Sequence, residues 1–214
     1  MERIQPPKLP LGVIASHGGT NLQAIIDACT DGSLDAEIRV VISNNSRALA
    51  LERARRANIP TAHLSSVTHP DPARLDAAIA DTLTTHGAEL IVLAGYMRKL
   101  GPRTLSRYRN RVLNVHPALL PKFGGRGMYG ERVHAAVIAA GERVSGVSVH
   151  LVDEEYDRGP VIAHAEVPVL PNDTPDTLAA RILEQEHRLY PQTIQRIASG
   201  EMDLDIDHSA VQEI

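Results

Sequence analysis

Apolar residues gather in short runs along this chain, and between the runs the apolar spacing lengthens to that of helices. Leu11-Gly12-Val13-Ile14-Ala15-Ser16 reads as a strand, followed by the tight loop His17-Gly18-Gly19-Thr20-Asn21 and an amphipathic helix from Leu22 to Cys29. Ile38 to Ser43 is a second strand, Ala48 to Ala57 has the Ala, Leu and Arg content of a helix, and Thr61 to Leu64 forms a third short strand after Pro60. Asp71-Pro72 starts the next helix with a capping acid and a first-turn proline, and Gly87 ends it after His86. Leu90-Ile91-Val92-Leu93-Ala94 is apolar throughout, as a strand covered on both faces must be. A helix from Pro102 to Tyr108 and a strand from Arg111 to Val115 continue the alternation, which predicts a doubly wound parallel sheet.

Past Leu120 the pattern changes. A glycine-rich loop, Phe123 to Gly130, leads into a helix from Glu131 to Ala140. Val144 to Val152 and Pro160 to Val169 are β-rich runs separated by the acidic loop Asp153 to Gly159, which predicts a mixed, hairpin-like extension of the sheet. Thr174-Pro175-Asp176 caps a last helix reaching Ser199, with a kink expected at Pro191. Asp203 to Asp207 alternates like an edge strand but is charged like an exposed tail. The expectation is a single α/β domain over residues 1–214, with an N-terminal extension at 1–9, a tail at 200–214 and helices on both faces of the sheet.

At 43% hydrophobic and 22% charged residues, the composition is that of an ordinary globular domain. With 26 acidic against 22 basic residues the net charge is -4, so no basic field invites nucleic acid. The one basic cluster, Arg53-Ala54-Arg55-Arg56, reads as a solvated helix face. Cys29 is the sole cysteine, which excludes an internal disulfide and argues against a cysteine zinc site; the histidines show no metal-binding spacing. The proline-broken N-terminus does not resemble a signal peptide, and no apolar run approaches the roughly 18 residues of a membrane helix, so a cytoplasmic setting is expected.

Four groups of residues can carry chemistry. Asn114 and His116 lie two positions apart at the end of a strand, on one side of the sheet. They offer an amide donor beside an imidazole, a pair suited to a developing oxyanion, while a histidine that only pins the following loop is the competing reading. Ser16 to Asn21, between strand and helix, can cradle a phosphate on exposed N–H groups or serve as a plain turn. Asp157 can approach His116 and favour its imidazolium, or belong to a solvated acidic turn. Glu186 falls on the apolar stripe of Leu178, Ile182 and Leu189, either at its edge in water or in a cleft against a polar partner. His187 reads as a surface residue and His150 as a core or sheet-surface histidine with a possible supporting role.

Taken in order from Leu11 to Ser199, five stretches resemble the glycinamide ribonucleotide formyltransferases that use 10-formyltetrahydrofolate. They are Ser16 to Gln23, Leu93 to Arg98, Leu113 to Lys122, Ser148-Val149-His150 with Asp157-x-Gly159-Pro160, and Gln185-Glu186-His187-x-x-Tyr190-Pro191. The resemblance implies a Rossmann-like formyltransferase fold in which Asn114, His116 and Asp157 are catalytic. It implies that Gly19, Thr20, Asn21 and Glu186 hold the ribonucleotide. The folate would be enclosed by Met97, Arg98, Lys99 and Leu100, with Asn114 and the segment Asp153, Glu154, Glu155, Tyr156 and Asp157. The implied chemistry is metal-free acyl transfer to an amine, with protonated His116 kept charged by Asp157 and 10-formyltetrahydrofolate as co-substrate. The implied partners are these small molecules alone, with neither nucleic acid nor membrane, in a monomer or homodimer.

The chain departs from the pattern at three places. His17 and Gly18 stand where relatives often carry Gly-Asn or Gly-Arg, Leu183 stands where they often place Lys or Gln, and the loop Gly124 to Gly130 exceeds the shortest family form. The rival readings are a formyltetrahydrofolate deformylase, a formyltransferase for another amine, and a nonenzymatic nucleotide-binding module. Relatives acting on tRNA or by hydrolysis usually carry an extra domain, for which 214 residues are expected to leave no room.

Overall fold

The apolar runs and the helical stretches between them settle into one sheet with helices on both faces. The computed structural model describes residues 7–205. Its elements are β1 (Leu9–Ala15), α1 (Thr20–Asp31), β2 (Ala36–Ser43), α2 (Leu49–Arg56), β3 (Thr61–His63), α3 (Pro72–Thr85) and β4 (Leu90–Leu93), then α4 (Pro102–Arg107), β5 (Val112–His116), α5 (Glu131–Ala139), β6 (Val144–Leu151), β7 (Val161–Pro168) and α6 (Pro175–Ala198). The seven strands lie in the order β3-β2-β1-β4-β5-β6-β7. The first five are parallel, and β6 and β7 add antiparallel pairs at one edge, which is the mixed extension expected from the β-rich runs.

Alternation along the strands divides the core in two. Leu11, Val13 and Val41 pack with Leu22 and Ile25 of α1, Leu51 of α2 and Ile182, Tyr190 and Ile194 of α6. Ile14, Val40, Ile42 and Ile91 face the other way, onto Ile79 and Leu83 of α3 and Leu105 of α4. Gly12 lets α3 approach closely, since a Cβ there would lie 2.5 Å from the Leu83 side chain. Each fully buried aliphatic side chain contributes about 1.5–3 kcal/mol, and most of these are less than 2% exposed.

The helix ends follow the local sequence. The Asp71 carboxylate accepts the Ala73 N–H at 2.8 Å with Pro72 in the first turn, and Thr174 forms a capping box with Thr177. Helix α6 runs unbroken through Pro191. Residues 203–205 form no strand; Leu204 is buried, and the Asp205 carboxylate accepts two bonds from Arg111 at 2.9 and 2.6 Å. Ile206 and Asp207, the remainder of that segment, lie outside the described residues, as do residues 1–6 of the N-terminus. No described helix is long and apolar enough to cross a membrane.

The strand order reverses between β1 and β4, and the carboxyl ends of β1, β4 and β5 all open on the same edge of the sheet. In an open α/β sheet this is the place where a crevice forms.

Candidate active site

β5 ends at His116 and pairs antiparallel with β6, so the ladder sets Asn114 opposite His150 and His116 opposite Ser148. Two residues the chain holds 36 positions apart thereby meet: Asn114 Nδ2 lies 3.1 Å from His150 Nε2. His150 Nδ1 is 2.8 Å from the Leu151 carbonyl, an acceptor, so Nδ1 carries a proton. In the neutral ring Nε2 then accepts from Asn114; in the charged ring it donates to Asp157 Oδ1, 3.4 Å away.

Asp157 belongs to the loop between β6 and β7 and takes a φ of 54°, in the left-handed region that aspartate tolerates better than most residues. The turn aims its carboxylate inward. Its Oδ2 accepts the Gly125 N–H at 2.9 Å and lies 3.6 Å from His116 Nδ1. The approach of Asp157 to His116 is therefore present. His116 is only 3% exposed, and its Nε2 donates to the Phe123 carbonyl at 2.8 Å.

One expectation is overturned here. Burial pushes the His116 imidazole below its ordinary value of 6.5, and the opposing pull of Asp157 and of the Phe123 carbonyl does not restore it. Asp157 does favour the charged ring, but desolvation of the buried imidazole is the larger effect. The carboxylate itself is pushed up by burial, yet His150, His116 and the Gly125 N–H together hold it below the usual aspartate range. An ionised carboxylate thus stands between two histidine rings.

The opposite end is built from α1 and α6. Asn21, in the first turn of α1, donates from Nδ2 to Glu186 Oε2 at 2.6 Å, while its Oδ1 is buried without a partner. Glu186 is 8% exposed, and burial raises its carboxyl to about 7 against the downward pull of the Asn21 hydrogen bond. Of its two sequence readings, the cleft is the one that applies. Gly19 and Thr20 do not line the cavity: Gly19 turns at φ 67° and is buried against Ala50, and Thr20 points to solvent.

A cavity of about 640 Å³ joins the two ends. Met97, Arg98, Lys99 and Leu100 form one wall, and Asp153, Glu155, Tyr156 and Asp157 form the other, with Asn114 and His116 at the floor. Glu154, grouped with this wall on sequence, is exposed and does not reach the cavity. Ser16 ties the first wall to the α1 loop, since its Oγ accepts the Met97 N–H at 2.8 Å and donates to Asn44 at 2.7 Å. Leu183 lines the cavity and brings no charge.

Three residues differ from the sequence reading, and a fourth, His134, was missed by it. His150 stands in the site rather than in the plain core, and the signal for it is the antiparallel register with Asn114. His134 of α5 also lines the cavity, with Nδ1 buried and unpartnered. His187 is half-buried instead of a surface residue, and its Nε2 is enclosed without a partner. Arg53 is likewise half-buried, because its guanidinium finds the Gly18 carbonyl and the Gln23 side chain, whereas Arg55 and Arg56 are solvated as expected. Among the described residues no cluster of three or more His, Cys, Asp or Glu stands together to hold a metal ion.

This floor of amide, imidazole and carboxylate lies inside residues 11–194, the span that matches the family model described as formyl transferase. The chain belongs to the formyl transferase family. It is 41% identical over 194 residues to the phosphoribosylglycinamide formyltransferase of Haemophilus influenzae, a match covering 91% of this chain and 89% of the relative. It is 37% identical to the chloroplastic phosphoribosylglycinamide formyltransferase of Arabidopsis thaliana, covering 90% of this chain but just under two thirds, 66%, of that longer protein. Among solved formyl transferase structures, glycinamide ribonucleotide transformylase 1 from Symbiobacterium toebii superposes with a TM-score of 0.86 at 42% identity, covering 92% of this chain and 90% of that one.

Proposed function

We propose that this chain transfers the formyl group of 10-formyltetrahydrofolate to the amine of 5'-phosphoribosylglycinamide, a step of purine biosynthesis. The observation that carries the reading is one cavity with the Asn21–Glu186 pair at one end, a long partly apolar wall at the other and Asn114 with His116 between them. Two substrates of different chemistry can meet there. Holding them in place supplies much of the acceleration before any proton moves.

In the proposed sequence the ribonucleotide amine attacks the formyl carbon, and the carbonyl oxygen becomes an oxyanion that the Asn114 amide stabilises. His116 starts neutral, in line with its lowered pKa. When Nε2 releases the Phe123 carbonyl the neutral ring carries its proton on Nδ1, towards Asp157, and the freed Nε2 takes the proton that the attacking nitrogen must lose. Asp157, 3.6 Å from Nδ1, stabilises the imidazolium while it lasts. The proton then passes to the folate nitrogen as the bond from that nitrogen to the formyl carbon breaks. One carbon–nitrogen bond forms, one breaks, and one proton is carried across.

The test is a spectrophotometric assay with 10-formyltetrahydrofolate, run with and without 5'-phosphoribosylglycinamide. Folate product that forms only when the ribonucleotide is present supports the proposal. Equal release of formate without it would make the enzyme a hydrolase, and transfer only to a different amine would replace the acceptor.

A further inference from the structure

The turn at Gly18-Gly19 is held from outside, by α2. Ala50 N–H donates to the His17 carbonyl at 3.1 Å, and the Ala50 side chain packs so closely under Gly19 that a Cβ there would lie 2.7 Å from it. Arg53, one turn along α2, donates from Nε to the Gly18 carbonyl at 2.9 Å and from Nη1 to Gln23 Oε1 at 3.0 Å. The planar fork thus clamps the turn to the start of α1. A lysine lacks the planar fork that holds the two bonds in fixed relative geometry.

Both acceptors of Arg53 are neutral, so its positive charge remains uncompensated beside the helix N-terminus. The first turn of α1 contains no acidic residue. Asn21 in that turn is nine-tenths buried, faces the cavity and leaves Oδ1 without a partner. Leu183, across from it, supplies no cation. A turn at a helix N-terminus and a captive guanidinium both favour an anionic ligand, while the unpartnered Asn21 Oδ1, an acceptor, calls for a hydrogen-bond donor on the same ligand.

We infer that Arg53 is a positioning residue for the phosphate of the ribonucleotide, acting by fixing the Gly18-Gly19 turn rather than by entering the cavity. The inference rests on the proposed acceptor substrate. Arg53 would then govern affinity for one substrate and leave the formyl donor and the proton transfer alone.

The experiment compares the wild-type enzyme with Arg53→Gln and Arg53→Lys, measuring kcat, KM for each substrate and the inhibition constant of inorganic phosphate against the ribonucleotide. Loss of one charge-assisted clamp predicts a rise of about tenfold in ribonucleotide KM and in the phosphate inhibition constant for Arg53→Gln, with a smaller rise for Arg53→Lys. Donor KM and kcat should stay within about twofold, the scatter expected of sites that act independently. An unchanged ribonucleotide KM, a raised KM with unchanged phosphate inhibition, or an equal loss on the donor side overturns the inference. If Arg53→Gln does not fold, Arg53→Lys decides by the same criteria. Failure of the wild-type enzyme to use the ribonucleotide sinks the functional proposal instead, so the two failures are distinguishable.

Discussion

Asp157 is one carboxylate facing two imidazoles, His116 at 3.6 Å and His150 at 3.4 Å. His116 can gain a charge without leaving this carboxylate. His116→Asn and Asp157→Asn are each expected to lower kcat by about 10²- to 10³-fold, since each removes a group acting on charge that develops during reaction. Thermal unfolding should report an intact fold in both; wild-type turnover in either would refute the assigned roles. Glu186 makes a second prediction. Its carboxyl titrates near 4.5 when unfolded and at about 7 when folded. Between those values the unfolded chain has lost the proton and the folded one keeps it, so stability falls as pH rises from 4.5 to about 7 and then levels off. Ionising the buried group costs on the order of 3 kcal/mol. Glu186→Gln keeps an acceptor for Asn21 and removes the slope, gaining on the wild type as pH rises; urea unfolding at several pH values checks it, and parallel curves would refute it.

At the scale of elements, α4 shows what sequence reading can and cannot reach. Asp71-Pro72 announced α3 correctly because cap and proline act within a single turn. Five residues later Asp76 resembles any acid on a helix face, yet it is buried. Its carboxylate accepts Arg103 N–H at 2.8 Å, Thr104 N–H at 3.1 Å and the Thr104 hydroxyl at 2.5 Å, capping α4 from across the fold. No local pattern marks a cap supplied by another helix. Asn114 and His116 were legible from their spacing at a strand end, and Asp157 was left between an approach to His116 and a solvated turn, while His150 depended on the β5–β6 register and Arg53 on the packing of α2 beneath the α1 loop. Asp76→Ala leaves these donors unpaired and is expected to cost about 2 kcal/mol. Because α4 begins just after the Met97 to Leu100 wall, KM for the formyl donor should rise with the loss of stability. Unchanged melting temperature and donor KM would show the clamp to be idle.

Across the whole molecule, α6 joins the two ends of the cavity. Tyr190, fully buried, lies with its hydroxyl 3.1 Å from the Leu93 carbonyl and 3.0 Å from the Leu113 carbonyl, so it bridges β4 and β5. One turn earlier the same helix presents Glu186 to Asn21. Tyr190→Phe removes the donor shared by the two carbonyls and is expected to destabilise the protein by about 1–2 kcal/mol, read by denaturant midpoint. With α6 free to shift, KM for the ribonucleotide should rise as well. A variant matching the wild type in both would mean that packing alone seats the helix.

The link from β5 to β6 bears on how such a protein can change. Ser148 Oγ donates to the Ala118 carbonyl at 2.8 Å and accepts the Leu120 N–H at 3.0 Å, fastening the chain where it leaves the sheet. Everything from Pro121 to Arg143 is spliced between that fastening and β6, including the Gly125 to Glu131 rim of the cavity. Phe123 and Gly125 are held by their bonds to His116 and Asp157 and α5 is packed into the core, so it is between Gly125 and Glu131 that residues can be inserted or deleted while Asn114 still faces His150. Lineages can therefore remodel this rim of the cavity without disturbing the residues at its floor.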